Sequence, residues 1–359
     1  MSNEGKYARI TISSSHPFER GYQYGEQLRD KIRERINLRF ETARLKGLDK
    51  DQILIDAMKI WPFIEEYASY IGQEIRGIAE GSGLTLEEAA MLNSFGPIAL
   101  YGERHQTMGC TSFAVAGEAT ADGKTYVGQN DDMWARDDEF ATLLTIETPT
   151  TKILGLAYAG EFPRKGVNSH GIALCVNALY DGRARPGVPG TVMTRDVLQQ
   201  ETIGGALYSL MRADRGAAAN YVVGDQHGEL YDIETTMDGY ELIYGQDALV
   251  HANHFLAKHL ASRDLGIEDG PCSVVRYNRI KKLIDKGFGS IDAEMLKRIL
   301  ADHVNYPGSI CRHDSGHAPD SPPDKRFSTV ASLIFIPEDG VLLVAEGNPC
   351  ETRYLELTI

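Results

Sequence analysis

The sequence lacks long apolar runs, an excess of basic residues and closely spaced cysteine pairs. Within its 359 residues no hydrophobic stretch approaches the roughly 18 residues of a membrane span, so no membrane association is expected. The net charge of −14 provides no basic field for nucleic acid or an anionic membrane, and we expect neither as a partner. The five cysteines are an odd number without a CxxC pair, which argues against a disulfide framework and a cysteine-type zinc site.

The first residues, Met1–Lys6, also lack a basic segment followed by an apolar one, so we expect a cytoplasmic location. The hydrophobic and charged fractions, 42% and 25%, are typical of a globular protein. Because the chain is longer than a usual single core, we expect one large layered domain or a core with a helical appendage.

The pattern of the sequence changes at Cys110. Residues 17–105 are predicted to be mainly helical, with a helix over 87–95 that begins at the capping box formed by Thr85 and Glu88. From Cys110 onward, short β-rich segments alternate with turns. We therefore divide the chain into a helical N-terminal segment, residues 1–109, and a core, residues 110–359.

Several elements are predicted within the core from periodicity and turn signals. The predicted strands are 110–115, 125–129, 141–147, 153–158, 171–179, 219–223, 230–235, 329–336 and 341–344. The predicted helices are 191–201, 272–286 and 292–304, and residues 312–325 are predicted to form a loop.

Cys110 stands at this boundary, directly after Gly109. A cysteine at a strand start is often only a small buried hydrophobic residue. As a nucleophile it would need a base, because a free thiol is mostly protonated at neutral pH. One design uses a distant histidine, His251 or His254, oriented by Asn253. In the other, Cys110 attacks the Gly109 carbonyl, the bond is cut, and the freed α-amine of Cys110 becomes the base.

His251 and His254 could also suggest a metal site. Their spacing of three suits one face of a helix, but the segment reads as a strand followed by a turn, where the two rings would diverge. We therefore predict neither a metal nor another cofactor. A metal-dependent hydrolase that uses these two histidines, and a binding protein without catalysis, remain alternatives.

Short motifs along the whole chain resemble the acyl-CoA:6-aminopenicillanic acid acyltransferase family, also called peptidase family C45, of N-terminal-nucleophile hydrolases. The matching segments are His16–Gly25, Glu74–Gly81, Gly109–Thr111, Gly128–Asp132, Asn168–Ala173, His251–His254 and Asn305–Arg312. The resemblance implies an α+β fold, a four-layered αββα sandwich, and a precursor that cuts itself between Gly109 and Cys110. Its N-terminal fragment would stay bound to the core as a heterodimer.

The resemblance also assigns site residues by their position in the motifs. Asp132 matches the family's site aspartate, Asn253 its oxyanion-hole asparagine and Arg312 its site arginine. An aspartate beside the new ammonium would stabilise the charged amine of Cys110. Without the resemblance, Asp132 would equally fit a solvated turn, Asn253 the end of a strand and Arg312 the protein surface.

These observations predict a self-processing cysteine amidohydrolase or acyltransferase. It would cleave or transfer the acyl group of a small N-acyl amine or N-acyl amino acid through a thioester on Cys110. An acyl-CoA-dependent N-acyltransferase of the penicillin type is the alternative within this class, but the sequence has no separable CoA motif.

Overall fold

The computed structural model describes residues 5–45, 47–94, 109–265, 271–313 and 327–359. Two β-sheets form the centre of the molecule, and helices cover their outer faces. Within these residues no helix has the length and apolar character needed to cross a membrane.

The helices fall into an N-terminal group and groups within the core. The N-terminal helices are α1 (Pro17–Gln27), α2 (Arg29–Leu45), α3 (Lys50–Met58), α4 (Trp61–Ser82) and α5 (Leu86–Asn93). The later helices are α6 (Gly190–Val197), α7 (Ile203–Met211), α8 (Lys258–Ala261), α9 (Cys272–Gly287) and α10 (Ala293–Leu300).

The strands of the first half of the chain are β1 (Ala8–Ser13), β2 (Gly109–Val115), β3 (Tyr126–Trp134), β4 (Ala141–Glu147), β5 (Lys152–Tyr158), β6 (Lys165–Asn168) and β7 (Ile172–Ala178). Those of the second half are β8 (Ala219–Asp225), β9 (Leu230–Thr235), β10 (Tyr240–Tyr244), β11 (Ala248–His251), β12 (Phe327–Ile336), β13 (Val341–Ala345) and β14 (Tyr354–Thr358).

One sheet has eight strands in the order β1-β4-β5-β6-β7-β8-β9-β10, and the other has six in the order β11-β2-β3-β12-β13-β14. Neighbouring strands are antiparallel, except that β1 pairs in parallel with β4. The inner faces of the sheets share one apolar core, to which Val127 and Leu333 contribute from one sheet and Leu156 and Val222 from the other. Such inward-facing apolar side chains are what hold two packed sheets together.

Helices complete the outer layers. On the six-stranded sheet, Phe113 and Ile334 pack against Ile284 of α9 and Leu296 of α10. On the eight-stranded sheet, α6 and α7 join the main core, together with the N-terminal helices. This is an αββα arrangement, and the α+β fold class predicted from the sequence is confirmed.

Helices α1 and α4 approach each other through glycines. A Cβ atom at Gly21 would lie 1.9 Å from the carbonyl oxygen of Glu74, and one at Gly77 would lie 2.1 Å from that of Phe18. Both distances are far below van der Waals contact, so only glycine permits this separation of the backbones. Two of the family-like motifs, around Gly21 and Gly77, therefore have a packing role.

The N-terminal segment is joined to the core by buried ion pairs. Glu74 of α4 accepts hydrogen bonds at 2.8 Å from Arg20 of α1 and from Arg195 of α6. Arg35 of α2, fully buried, pairs with Glu161 beyond β5. Separating the helices from the sheet would leave buried charges without their partners, which is energetically costly. These contacts therefore hold the helices on the sheet.

Most predicted elements are present, and the capping box of Thr85 and Glu88 is formed at the start of α5. That helix ends at Asn93, and the remainder of the predicted helix 87–95 lies outside the described residues. Local sequence signals did not predict β1, β6, β10, β14, α7 or α8. The sequence analysis also ended β3 too early, at Gln129 instead of Trp134.

Candidate active site

The pairing of β2 with β3 brings Cys110 close to two aspartates. Cys110 lies opposite Asp131, and Gly109 lies opposite Asp132. Successive residues of a strand face opposite sides of the sheet. Cys110 and Asp131 therefore face the space between the two sheets, whereas Gly109 and Asp132 face the helical layer.

The Cys110 thiol is buried, and its sulfur lies 3.6 Å from Asp131 Oδ1. Asp131 also pairs with the Lys165 ammonium and accepts a hydrogen bond of 2.8 Å from the Tyr158 hydroxyl. Burial opposes ionisation of Asp131, but Lys165 and the other donors outweigh it and lower its pKa. Burial, reinforced by the negative Asp131, raises the pKa of the Cys110 thiol to about 12. In the uncut chain, the thiol is therefore protonated at neutral pH.

Asn253, in the turn after β11, contacts the main chain of Cys110. Its Oδ1 atom accepts hydrogen bonds from the Cys110 N–H at 2.7 Å and from Arg276 Nη2 at 2.9 Å. Its Nδ2 atom donates to the Ala178 carbonyl at 3.0 Å. These partners fix the orientation of the amide, since only the oxygen can accept from two donors. The second N–H of Nδ2 is a donor beyond the one used by Ala178.

Arg276 on α9 was not among the residues singled out in the sequence. It is fully buried, and its Nη1 donates to the Cys110 carbonyl at 2.6 Å and to Thr111 Oγ1 at 2.8 Å. Arg276 lies on the buried face of α9 together with Ser273, Ile280 and Ile284. An arginine within the apolar stripe of an amphipathic helix was the available signal for it.

Asp132 is enclosed on the other face of β3. Thr329 donates to its Oδ1 at 2.7 Å, whereas its Oδ2 is buried, has no hydrogen-bond partner among the described residues and lies 3.6 Å from Arg312 Nε. A bulge in β12 beside Thr329 sets this geometry. Burial raises the pKa of Asp132 to about 6, although Arg312 and Arg276 oppose this shift. The hypothesis of a solvated turn at Asp131 and Asp132 is wrong, since both lie buried within β3.

Gly109 is in close contact with the side chains of Asp132 and Arg312. A Cβ atom there would lie 2.9 Å from Arg312 Cζ and from Asp132 Oδ2. A side chain at position 109 would therefore have to displace a buried ion pair. Arg312 itself is buried, not on the surface, and the loop predicted to follow it lies mostly outside the described residues.

Cys272, at the start of α9, is a second thiol in the same space. Arg312 Nη2 lies 3.2 Å from its sulfur. Burial disfavours the thiolate, but Arg276 and Arg312 outweigh it, and the pKa of Cys272 is lowered. The two arginines thus stabilise negative charge in the immediate surroundings of Cys110.

A cavity of about 240 Å³ opens onto these groups. Its lining includes Cys110, Asn253 and Arg312 at one end and apolar side chains such as Val176, Leu179, Val188 and Met193 elsewhere. A pocket with an apolar body and a few convergent polar groups is the usual form of a small-molecule site.

The histidines of the alternative designs are engaged elsewhere. His251 Nδ1 is bonded to the Ala252 carbonyl and Nε2 to Glu234 Oε1, both at 2.9 Å. Burial lowers the pKa of His251, but Asp232 and Glu234 outweigh it and raise the pKa above its ordinary value. His254 Nδ1 lies 2.8 Å from Ser273 Oγ, and burial lowers its pKa to about 4. Both ring nitrogens of His251 are thus engaged by Ala252 and Glu234, and among the described residues neither histidine ring makes a hydrogen bond to the Cys110 sulfur.

Solved structures from three organisms align with the chain at low identity. An N-acylethanolamine-hydrolyzing acid amidase orthologue of Caenorhabditis elegans is 15% identical, with 64% of this chain and 93% of the other aligned and a TM-score of 0.45. A conjugated bile acid hydrolase variant of Clostridium perfringens is 13% identical over 70% and 97% of the two chains, with a TM-score of 0.46. Penicillin V acylase from Agrobacterium tumefaciens is 14% identical over 70% and 86%, also with a TM-score of 0.46.

The family comparison covers well over half of the chain. Residues 119–351 match the family described as acyl-coenzyme A:6-aminopenicillanic acid acyl-transferase. This range contains Asp132, Asn253 and Arg312, and it begins after Cys110. The chain therefore belongs to the acyl-coenzyme A:6-aminopenicillanic acid acyltransferase family, and it is an enzyme that acts on C–N amide bonds.

Proposed function

We propose that this enzyme is a self-processing cysteine amidohydrolase or acyltransferase of small N-acyl amines or N-acyl amino acids, with Cys110 as its nucleophile. The observation that carries the proposal is the environment of one peptide bond. Gly109 and Cys110 line the cavity, the Cys110 N–H is bound by Asn253, and an unpartnered oxygen of Asp132 lies beside Gly109.

Self-processing starts with the Cys110 sulfur attacking the Gly109 carbonyl carbon. The C–N bond breaks as the C–S bond forms, the amide nitrogen takes up a proton, and a thioester results. Water then hydrolyses the thioester, which leaves a carboxylate on Gly109 and returns the thiol to Cys110. The chain becomes two associated fragments, residues 1–109 and 110–359.

The new α-amine of Cys110 supplies the base that the uncut chain lacks. A thiol with a pKa near 12 forms little thiolate at neutral pH, so the single self-cleavage is expected to be slow, whereas an α-amine has a reference pKa of about 7.7–8.0 and can take the thiol proton in every turnover. We assign Asp132 and Asn253 Oδ1 to hold this amine. During acyl transfer, the Cys110 sulfur attacks the substrate carbonyl, and the second N–H of Asn253 Nδ2 donates to the oxyanion. The substrate C–N bond then breaks, the amine leaves with the proton that the α-amine took from the thiol, and the acyl group stays on Cys110 as a thioester until water hydrolyses it.

The acyl group is proposed to occupy the apolar part of the cavity, with the polar or charged end of the substrate towards the arginines. Arg164, Arg183, Arg185, Arg276 and Arg312 line the cavity. Water is the simplest acceptor for the acyl group, and we therefore favour hydrolysis. The name of the family supports one second candidate, transfer from acyl-CoA to an amine, which needs the same thioester.

Intact-mass analysis tests the processing step. Wild-type protein should give two masses, and Cys110→Ala should give one mass and no activity. Cys110→Ser should cut slowly, since a hydroxyl is a poorer nucleophile than a thiolate. Cys175→Ala is the matched control, because Cys175 is buried in β7 away from the cavity lining, and this variant should be cut normally. A fully active protein with a single uncut mass would overturn the proposal.

An activity screen tests the substrate class. Processed protein is incubated with N-acyl amines, N-acyl amino acids and acyl-CoA plus amine, and products are detected by mass spectrometry. Release of free acid from the first two would support hydrolysis, and formation of a new amide only with acyl-CoA would support the second candidate. Turnover that depends on added metal and persists in Cys110→Ala would favour a metal-dependent hydrolase. If neither turnover nor covalent labelling of Cys110 is detected, a binding protein without catalysis would be favoured.

A further inference from the structure

Two histidines and two cysteines meet at the carboxyl end of α10, outside the cavity described above. They are His303, Cys311, His313 and Cys350, and one possible ligand atom from each lies within 4.8 Å of the others. The first three belong to the segment that follows α10, and Cys350 follows β13. Cys311 is buried, whereas His303 and Cys350 are exposed, so the cluster is accessible from solvent.

Four of the six distances between the ligand atoms are close to the edges of a tetrahedron around one metal ion, and the other two lie within 4.8 Å. His303 Nε2 and His313 Nε2 are 3.1 Å apart, and the sulfurs of Cys311 and Cys350 are 3.6 Å apart. His313 Nε2 lies 3.5 Å from the Cys311 sulfur and 3.2 Å from the Cys350 sulfur. Zinc bond lengths of about 2.3 Å to sulfur and 2.0 Å to nitrogen give tetrahedral edges of about 3.8 Å, 3.5 Å and 3.3 Å for S–S, S–N and N–N pairs.

Hydrogen bonding within the protein does not explain this convergence. His313 Nε2 has three potential partners at 3.1–3.5 Å, but a neutral imidazole nitrogen offers either one hydrogen or one lone pair. A cation at the centre would serve all four ligand atoms at once.

The groups around the cluster are those that support metal ligands. The other ring nitrogen of His313, Nδ1, lies 3.6 Å from Glu351 Oε1, and a carboxylate at this nitrogen orients a ligating imidazole. Asn348 Nδ2 lies 3.5 Å from the Cys311 sulfur and also donates to the Arg312 carbonyl at 2.6 Å.

We propose that His303, Cys311, His313 and Cys350 form a structural zinc site. The donor set of two thiolates and two imidazoles is a common one for structural zinc. Binding displaces one proton from each cysteine, so the +2 charge of zinc is balanced and two protons are released. The sequence-based argument against a cysteine-type zinc site considered only CxxC pairs, whereas here only Cys311 and His313 are close in sequence.

The site fastens the segment that carries Arg312. This arginine stands between two of the ligands, and its side chain reaches Asp132 and Cys272. Zinc would thus connect the segment after α10 to the turn after β13 and hold Arg312 in the cavity wall. The existence of the site does not depend on the reaction proposed for Cys110.

Metal analysis of reduced protein tests the proposal. Wild-type protein equilibrated with zinc and freed of excess metal should hold one zinc per chain by mass spectrometry of the element. Replacement with cobalt should give the intense visible absorption of tetrahedral Co²⁺ and its thiolate charge-transfer band. Cys350→Ser and His303→Ala should lose both signals, and both positions are exposed, so the variants should fold. His259→Ala, an exposed histidine outside the cluster, should keep them.

Two results would overturn the proposal. One is wild-type protein that binds no more zinc or cobalt than the Cys350→Ser variant. The other is a disulfide between Cys311 and Cys350 that forms in the presence of zinc, detected as a mass loss of about two hydrogens. If zinc binds, its removal with a chelator should lower the Tm of wild-type protein and leave that of Cys350→Ser unchanged, since bound metal stabilises only the folded state.

Discussion

The side chain of Asn253 contributes both of its polar atoms to the surroundings of Cys110. Its oxygen binds the main-chain nitrogen of Cys110, whereas its nitrogen faces the Ala178 carbonyl. An aspartate in this position would keep the acceptor and lose the donor. Substitution can therefore separate the positioning of the nucleophile from stabilisation of the oxyanion.

We expect Asn253→Asp to fold normally, because a carboxylate oxygen of aspartate can accept the hydrogen bonds that Asn253 Oδ1 accepts from the Cys110 N–H and from Arg276. Turnover per processed chain should fall roughly a hundredfold or more, as it does when one oxyanion donor is lost elsewhere. Asn253→Ala should lose the same factor and also stability, since it leaves two donors unpaired. Steady-state kinetics and urea unfolding would measure the two effects, and unchanged turnover in pure processed Asn253→Asp would refute the oxyanion role.

Arg276 offers a second test at the same scale. Arg276→Met removes a charged donor from the Cys110 carbonyl, and we expect self-cleavage to slow roughly tenfold or more, the value of a charge-assisted hydrogen bond. Arg279→Met is the control on the same helix, since Arg279 is partly exposed and pairs with Asp302. The rate of appearance of the two fragment masses is the measurement. Equal rates in the two variants would mean that Arg276 serves only packing.

The two thiols of the cavity should differ in reactivity. Cys272 has a lowered pKa and Cys110 a raised one, so at pH 8 the thiolate fraction is larger for Cys272. Iodoacetamide should therefore modify Cys272 first in the uncut chain. Peptide mapping measures the alkylation of each cysteine. A peptide that contains both Gly109 and Cys110 can come only from uncut chains, so its alkylation gives the reactivity of Cys110 before cleavage. Faster labelling of Cys110 would contradict the assigned environments.

The sequence located some of these residues and not others, for a physical reason. Asp132, Asn253 and Arg312 were assigned through their positions in motifs that resemble the family, and the structure brings them around Cys110. Arg276 and Lys165 lie within regular elements, where a cation is normally a solvated surface residue. Only the pairing of distant strands and helices shows that both are buried.

At the scale of elements, helices α1 and α4 pack together only because their main chains can approach each other closely. Gly21 and Gly25 of α1 face Gly77 and Gly81 of α4, each pair spaced by four residues on one side of its helix. At these glycines the main-chain atoms of the two helices pack directly against each other, with no side chain between them. The contact is therefore sensitive to a single added methyl group.

Gly77→Ala should lower the free energy of unfolding by about 1–3 kcal/mol or more, because its Cβ would meet the Phe18 carbonyl. Gly72→Ala in the same helix is the control. Its Cβ would meet only the flexible Glu65 side chain, at 3.1 Å, so helix propensity should make it neutral or stabilising. Urea unfolding in a Cys110→Ala background measures both on an uncut chain. A smaller loss for Gly77→Ala than for Gly72→Ala would refute this account of the contact.

Elements were predictable from sequence where their local signals were strong. The capping box placed α5, and alternation placed β4 and β9 at their observed bounds. The strand β1 was missed although its sequence, ARITIS, alternates apolar and polar residues. The run is only six residues long, and its partner, β4, lies more than a hundred residues away, so no neighbouring turn marks it as one strand of a hairpin.

At the scale of the whole molecule, the N-terminal segment is part of one shared core. Helices α1, α2 and α4 contribute to the same apolar cluster as both sheets, and buried ion pairs join them to residues beyond Cys110. Cutting after Gly109 leaves these contacts in place. The two fragments should therefore behave as one particle.

We expect fragments of about 12 and 28 kDa, by scaling 39.6 kDa with residue number, and the larger should begin at Cys110. They should coelute in size-exclusion chromatography under native conditions and separate only in denaturant. Cys110→Ala gives the uncut reference volume. Elution of the small fragment alone without denaturant would contradict a shared core.

The parallel pairing of β1 with β4 determines whether folding involves one molecule or two, because the two strands lie on opposite sides of Gly109 in the sequence. In the uncut chain, β1 finds β4 by closure of a loop, so folding does not depend on protein concentration. If the proposed cut after Gly109 is made, the same pairing requires an encounter of two separate molecules, and dilution opposes it by mass action. A processed molecule that unfolds at low concentration therefore loses its route back, and the edge of β4 is left open to aggregation.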